Sequence, residues 1–261
     1  MRANYKLKRL FIRQSFSMSE KIRIEGSQAS YLIRVLRMQE GDEILLFNGQ
    51  DGEWLAKLIA VEKRSVVAQL VHQERLQTAH LDLIYCFAPL KSARLDYMVQ
   101  KAVEMGASVL QPVVTRHTQA TRINMARMEA NVIEAAEQCG ILSVPKCFPS
   151  VSLEKLLEFW DEEQPLFFCD EAQEVHNPLP LLKKQKITAR GVLIGPEGGF
   201  SEEERNFLKK HSFVISISLG PRILRADTAA VVALTLLNVT EGDLSIDREI
   251  CKIISDDSLK V

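Results

Sequence analysis

The chain has 261 residues, 33 Lys and Arg against 34 Asp and Glu, and a formal net charge of −1. That length supplies one large domain or two modest ones at roughly 150 residues each, and 46% hydrophobic with 26% charged residues suits a soluble globular protein with a full core. The balance excludes a polycation, so any nucleic-acid contact must come from a local patch.

Charge is unevenly divided. Residues 1–75 carry 13 basic against 9 acidic residues, a net of +4. The first thirteen hold Arg2, Lys6, Lys8, Arg9 and Arg13 with no acid. No stretch reaches the roughly 18 apolar residues of a membrane span, and no apolar h-region with a cleavage site follows the basic start, which excludes a signal peptide. Cys86, Cys139, Cys147, Cys169 and Cys251 form no C-x-x-C pair. They read as buried thiols of a cytoplasmic protein, not as a disulfide framework or zinc site. The five histidines show no ligand spacing either, so no metal is expected.

In chain order, Glu43–Phe47 reads as a strand, Asn48-Gly49 and Asp51-Gly52 as a hairpin turn in which positive φ comes cheaply, and residues 53–59 and 65–71 as two further strands. This predicts a small β domain over residues 1–75, a candidate barrel, with residues 73–80 as linker. From Leu81 the pattern changes. Leu81–Ala88 is a nearly continuous apolar run, as in a strand buried on both faces. Leu95, Met98, Val99, Ala102 and Val103 then follow helical spacing, with Ser92 as the expected N-cap and Gly106 as the stop. A strand over 109–114, a helix over 124–139 ended by Gly140, and short strands at 166–169 and 191–194 come next. Ser201 and Glu204 form a capping box opening a helix to about His211. A strand over 213–219 and a helix over 227–239 complete the pattern, and the acidic residues after Gly242 read as a loose tail. Alternating strands and helices over 80–245 predict a mainly parallel α/β sheet.

Two glycine turns, Leu193–Phe200 and Leu219–Arg225, each follow a strand and precede a helix. Such turns lie at the carboxyl ends of strands, where open α/β sheets bind ligands. Neither is G-x-G-x-x-G or a Walker loop, which argues against a nicotinamide enzyme or a nucleotide triphosphatase.

The segments GPEGGF at 195–200 and LGPRILRADT at 219–228, followed by Ala229 and Ala230, resemble the SPOUT methyltransferases. Lys101–Gly106 and Glu134–Gly140 narrow the resemblance to the family that methylates uridine N3 in the decoding region of small-subunit (16S) ribosomal RNA. Arg9–Ile12, Val35-Leu36-Arg37, Gly41-Asp42 and the Asn48-Gly49 turn resemble that family's PUA-like RNA-binding domain. The resemblance implies a SPOUT domain over 80–245 with a deep trefoil knot, a feature too rare to derive from pattern, and a homodimer. It implies S-adenosylmethionine held by Leu193, Gly195, Glu197, Gly198, Gly199, Leu219, Gly220, Leu224, Thr228 and Ala229, with Cys169-Asp170-Glu171 nearby. Asp227 stands where many relatives have Glu.

Removing the N3 proton of uridine calls for a base or an anion-stabilising cation. Arg225, Arg222 and Asp227 are the candidates in the ligand turns. Their structural alternative is ion pairing of the two arginines with Asp227 or Glu197. His117 reads as an exposed loop histidine and Cys139 as a packed thiol. RNA contacts are expected at Lys8, Arg9, Arg13, Arg34, Arg37 and Arg116, while Arg116 and Arg122 fit phosphate contacts and ordinary surface charge equally. The rival functions are a SPOUT enzyme acting on another RNA group, such as a ribose 2′-hydroxyl, and a non-catalytic RNA-binding assembly factor.

Overall fold

The computed structural model describes residues 6–78, 82–120, 122–174, 177–184 and 190–241. Arg2, Leu81, Cys251 and the tail after Gly242 lie outside them. Internal contacts divide the chain into two units: Met1–His80 with Ile133–Val144, and Leu81–Val132 with Pro145–Val261.

The first unit contains β1 (Arg9–Phe11), β2 (Lys21–Ile24), α1 (Gly26–Ser30) running into a π-helical turn (Tyr31–Val35), β3 (Glu43–Phe47), β4 (Glu53–Val61) and β5 (Val66–Arg75). The strands form one sheet in the order β1-β3-β4-β5-β2. Among the described residues no ladder joins β2 back to β1. Alternation builds its core: Ile22 and Ile24 of β2, Ile44 and Leu46 of β3, and Val66, Ala68 and Leu70 of β5 share one buried cluster, as period-2 side chains require. The Asn48 carboxamide oxygen accepts from the N–H groups of Gln50 and Asp51, with φ +82° at Gly49 and +75° at Gly52. Strand β5 continues to Arg75, into the stretch expected as linker.

The second unit carries β6 (Leu83–Phe87), α2 (Ser92–Glu104), β7 (Val109–Val114), β8 (Lys146–Cys147), β9 (Val151–Ser152), α4 (Leu153–Glu158), β10 (Leu166–Cys169), α5 (Leu179–Lys184), β11 (Arg190–Ile194), α6 (Glu202–Leu208), β12 (Val214–Ile217) and α7 (Ala226–Glu241). Helix α3 (Met125–Cys139) supplies residues to both units. The sheet is parallel, in the order β12-β10-β11-β6-β7-β8, with β9 also on β7. The late strand β11 thus sits between the earlier β6 and β10. All five of its residues are buried, the pattern of a strand covered on both faces.

Helix α2 buries Met98, Val99, Ala102 and Val103. Its N-cap is Lys91, with no side-chain cap bond, instead of Ser92. Gly106, at φ +80°, ends it as expected. Strand β12 ends at Ile217, two residues earlier than predicted, because Ser218 and Leu219 turn into a cavity wall. Cys139, expected as a packed thiol, is exposed: it is the last residue of α3, one turn beyond the buried Ala135 and Ala136. The predicted capping box is present at Ser201 and Glu204. No helix among the described residues is long and apolar enough to cross a membrane.

Candidate active site

The carboxyl ends of the adjacent strands β12, β10 and β11 open into one cavity of about 340 Å³. Its walls are Cys169–Glu171 after β10, Ile194–Glu197 and Gly199 after β11, Ser218–Ala226 after β12, and Ala229 in the first turn of α7. Of the residues expected to hold a cofactor, Gly195, Glu197, Gly199, Leu219, Gly220, Leu224 and Ala229 line it.

Leu193, Gly198 and Thr228 do not. Leu193 is fully buried in the core cluster with Phe168 and Phe200. The Thr228 N–H donates to its neighbour Asp227 at 2.8 Å, and Thr228 is exposed. A Cβ on Gly198 would meet Cβ of His117 at 3.2 Å, not the cavity. The glycines that shape the wall are Gly195, where a Cβ would strike the Phe200 ring, and Gly199, which has φ +68° and sits against the Glu171 carboxylate. The first makes room for the buried Phe200 ring, and the second needs the left-handed conformation that glycine adopts freely.

Both arginine candidates, Arg222 and Arg225, line the cavity and are exposed. Among the described residues neither has an acidic partner. The acids proposed as their partners are taken by Arg94, a residue of α2 that sequence reasoning missed. Its Nη1 is paired with Glu197, and its Nε and Nη2 lie 3.3 and 3.2 Å from Oδ2 of Asp227. Nothing in the spacing of α2 distinguishes Arg94 from a solvated helix residue. Asp227 does not line the cavity. Burial works against its carboxylate, but the Thr228 N–H and the Arg94 guanidinium outweigh that and hold its pKa below the ordinary aspartate value.

His117 is exposed, as expected, yet its Nδ1 lies 3.2 Å from the Gly198 carbonyl and 3.0 Å from that of Gly199. Two carbonyl acceptors require Nδ1 to carry the proton, so His117 fastens the turn after β11. Beneath the cavity Asp170 is fully buried and pairs with Lys209 at 2.9 Å and Arg205 at 3.3 Å. Lys209 meets its Oδ2 and Arg205 its Oδ1. Burial raises the Cys169 thiol pKa far above its ordinary value, so this cavity wall offers no thiolate.

Of the expected RNA-contacting residues, Arg34 and Arg37 are exposed on and just after the π-helical turn. Between them Val35 is 66% and Leu36 37% exposed. Lys8 sits 5.0 Å over the Tyr31 ring, and Arg13 is exposed. Arg116 pairs with Glu203 at 3.2 Å, both exposed, which offsets its charge. Arg9 is a correction. It is 4% exposed and bonds Glu53 at 2.5 Å. Its Nη1 donates to the Ala136 and Glu137 carbonyls at 2.6 and 2.8 Å, and its Nη2 to that of Ile141 at 3.0 Å. Arg75 completes the cluster, reaching Glu53 and the Gly140 carbonyl. Arg9 caps the end of α3 and is not open to RNA. A basic run in sequence does not say which member turns inward.

A parallel sheet with backbone turns gathered at three strand ends, and arginines on the cavity wall that have no acidic partner among the described residues, defines an α/β fold of the kind that holds ligands at its strand ends. The family comparison agrees: residues 77–238 match the RNA methyltransferase domain and residues 24–71 the RNA methyltransferase PUA domain, and the chain belongs to this RNA methyltransferase family. It is 30% identical over 234 residues, 88% of this chain and 94% of the relative, to ribosomal RNA small subunit methyltransferase E of Rickettsia conorii. Among solved structures it resembles a methyltransferase of Legionella pneumophila in complex with S-adenosylmethionine, with TM-score 0.81 and 27% identity over 91% of this chain and 99% of that one. It also resembles ribosomal RNA small subunit methyltransferase E of Neisseria gonorrhoeae bound to S-adenosylmethionine, with TM-score 0.79 and 25% identity over 91% and 99%.

Proposed function

We infer that the chain transfers a methyl group from S-adenosylmethionine to N3 of a uridine in small-subunit (16S) ribosomal RNA. The observation that carries this reading is the cavity at the ends of β10, β11 and β12 with the unpaired Arg222 and Arg225 on its wall. Likeness to small-subunit methyltransferases over most of the chain supports the substrate.

The cavity fits the cofactor. Its wall combines glycine backbone at Gly195, Gly199 and Gly220 with the apolar Ile194, Leu219 and Leu224, and a Cβ at Gly195 or Gly199 would meet the Phe200 ring or the Glu171 carboxylate. Gly195, Gly199, Leu219 and Leu224 hold the adenine and ribose. When bound, the sulfonium supplies an already activated methyl group for in-line displacement. The protein's share is orientation, which alone lowers such barriers substantially, and stabilisation of the uracil anion. Arg225 stays protonated at working pH and so donates to that anion instead of accepting its proton. Arg222 assists. Asp227 is a weak base because its pKa is depressed, and a general base works best near the working pH. It acts as a positioning residue through Arg94, and the N3 proton leaves to water.

The first unit grips RNA through Lys8, Arg13, Arg34 and Arg37. The enzyme works in the cytoplasm as a homodimer, with the trefoil threading expected of a SPOUT domain. Partly buried Val231, Val232 and Leu236 and exposed Val239 on α7 support a covering partner copy. Nucleoside analysis of ribosomal RNA from cells lacking the protein tests the function: 3-methyluridine should vanish from the small subunit and return when purified enzyme and S-adenosylmethionine are added. Intact 3-methyluridine would overturn the reading.

A further inference from the structure

A second cavity, of about 360 Å³, lies between α2 and the start of α3. Its floor is apolar: Leu90 and Val99 are buried, Met128 is 2% exposed, and Leu95 remains partly open. Its polar side is a hydrogen-bonded cluster. The Asp96 carboxylate receives Arg127 Nε at 3.1 Å, Arg127 Nη2 at 2.5 Å and Asn131 Nδ2 at 2.7 Å. Lys91 and Arg122 stand exposed on the rim, and among the described residues neither has an acidic partner. Three cations against one carboxylate leave a local excess of positive charge in a chain whose net charge is −1.

Helix α2 joins the two cavities. Arg94 points to Asp227 and Glu197 beside the first, while the next two residues, Leu95 and Asp96, line the second. A helix is only about 10 Å across, so the two cavities sit within the reach of neighbouring nucleotides on one strand.

We propose that the cavity between α2 and α3 holds an unstacked nucleotide of the substrate RNA, beside the one that is methylated. The apolar floor takes the face of a base, the hydrogen-bonded Asp96–Asn131 pair meets its polar edge, and Lys91 and Arg122 take its phosphate. Single-stranded RNA is recognised by this combination of splayed bases, stacking surface and cationic rim. A second copy of this chain fits less well, because its surface would have to bring acids to both unpaired cations.

The proposal rests on the methyltransferase reading, and one set of measurements separates them. Purified small-subunit ribosomal RNA is titrated with the intact protein across a salt series, with Lys91→Ala/Arg122→Ala and Leu95→Trp as variants. Calorimetry with S-adenosylhomocysteine and sedimentation accompany each. The double variant should bind RNA more weakly, with the log–log salt slope reduced by about 1.4 to 1.8 for two lost phosphate contacts. Leu95→Trp, which fills the floor but keeps the charges, should weaken RNA binding about tenfold with the slope unchanged. Both should retain cofactor affinity and the sedimentation of the unmodified protein. RNA affinity and slope unchanged in the double variant overturn the nucleotide site and leave the methyltransferase reading standing. Loss of self-association instead assigns the cavity to a second copy and overturns it equally. Failure of the unmodified protein to bind or methylate RNA strikes the functional reading itself.

Discussion

Arg94 holds Asp227: Nη2 lies 3.2 Å and Nε 3.3 Å from the same carboxylate oxygen, while the remaining guanidinium nitrogen is paired with Glu197. One helix residue thereby ties the turn after β11 to the start of α7. Replacing Arg94 by Ala should release both, because Glu197 and Asp227 are left facing each other without a cation. The pair is partly solvated, so the direct loss is about 1 kcal/mol, seen as a five- to tenfold drop in S-adenosylhomocysteine affinity by calorimetry. Arg94→Lys should recover part of it. Unchanged affinity in Arg94→Ala would show that the turns stand without this link.

The same carboxylate sets a pH dependence. The Asp227 pKa is lower folded than unfolded, so its contribution is fully present above the ordinary aspartate range. It is lost as pH falls below that range through the depressed folded value. Glu53, lowered despite its burial by hydrogen bonds from Arg75 and Arg9, runs the same way. Glu137 opposes them, since burial raises its pKa. Glu53 is 1% exposed and holds two arginines, and truncating one partner of such a buried cluster costs about 3–5 kcal/mol. Thermal melts of Glu53→Gln should fall sharply at neutral pH, and the gap from the unmodified protein should close as pH drops below the carboxylate range. A constant gap across that range would mean that the charge of Glu53 is not what stabilises the cluster.

Gly199 and Gly198 should separate cleanly. Alanine at Gly199 must adopt φ +68° and push aside the Glu171 carboxylate, a strain of about 1–2 kcal/mol from the backbone alone. Alanine at Gly198 faces one tight contact with His117. Calorimetry should show at least a tenfold loss of cofactor affinity for Gly199→Ala and a smaller loss for Gly198→Ala. The reverse order would place the cofactor against Gly198.

Arg225→Ala should reduce the single-turnover methylation rate about a hundredfold, corresponding to roughly 3 kcal/mol for a positioned donor at developing charge. Cofactor affinity and melting temperature should hardly move, since Arg225 has no acidic partner among the described residues. Arg225→Lys keeps the charge but not the planar fork and should recover part of the rate. A folded Arg225→Ala enzyme with a normal single-turnover rate would remove this arginine from the reaction.

Arg34→Ala/Arg37→Ala should weaken binding to small-subunit ribosomal RNA and lower the salt slope by about 1.4 to 1.8, with melting unchanged because both side chains are exposed. Arg9 must be left out of any such charge-removal series. Its loss would orphan the carbonyls of Ala136, Glu137 and Ile141, and the resulting unfolding would imitate lost RNA binding. Retained slope in the double variant would reduce these arginines to solvated charge.

Local order was legible in the residues themselves. The periods of β6, α2, α3 and α7, the turn at Asn48-Gly49, the Gly106 and Gly140 stops and the Ser201–Glu204 box depend on interactions within a few positions, which sequence spacing encodes directly. The short α1 with its π-helical turn, α4 and α5 span too few residues for a period to emerge. The two glycine turns were legible as walls of one cavity because each follows a strand and carries residues that free the backbone. Which glycine faces the cavity was not, since Gly198 and Gly199 differ only in what long-range folding sets against them: His117 from after β7 for one, Glu171 from after β10 for the other. The partners of charged groups were equally hidden. Arg94 and Asp227 are 133 positions apart, and Arg9 and Ile141 are 132 apart. Charge acts through space, so only the tertiary structure decided that Arg94 takes both acids, that Arg9 turns inward, and that Arg222 and Arg225 are left facing the cavity.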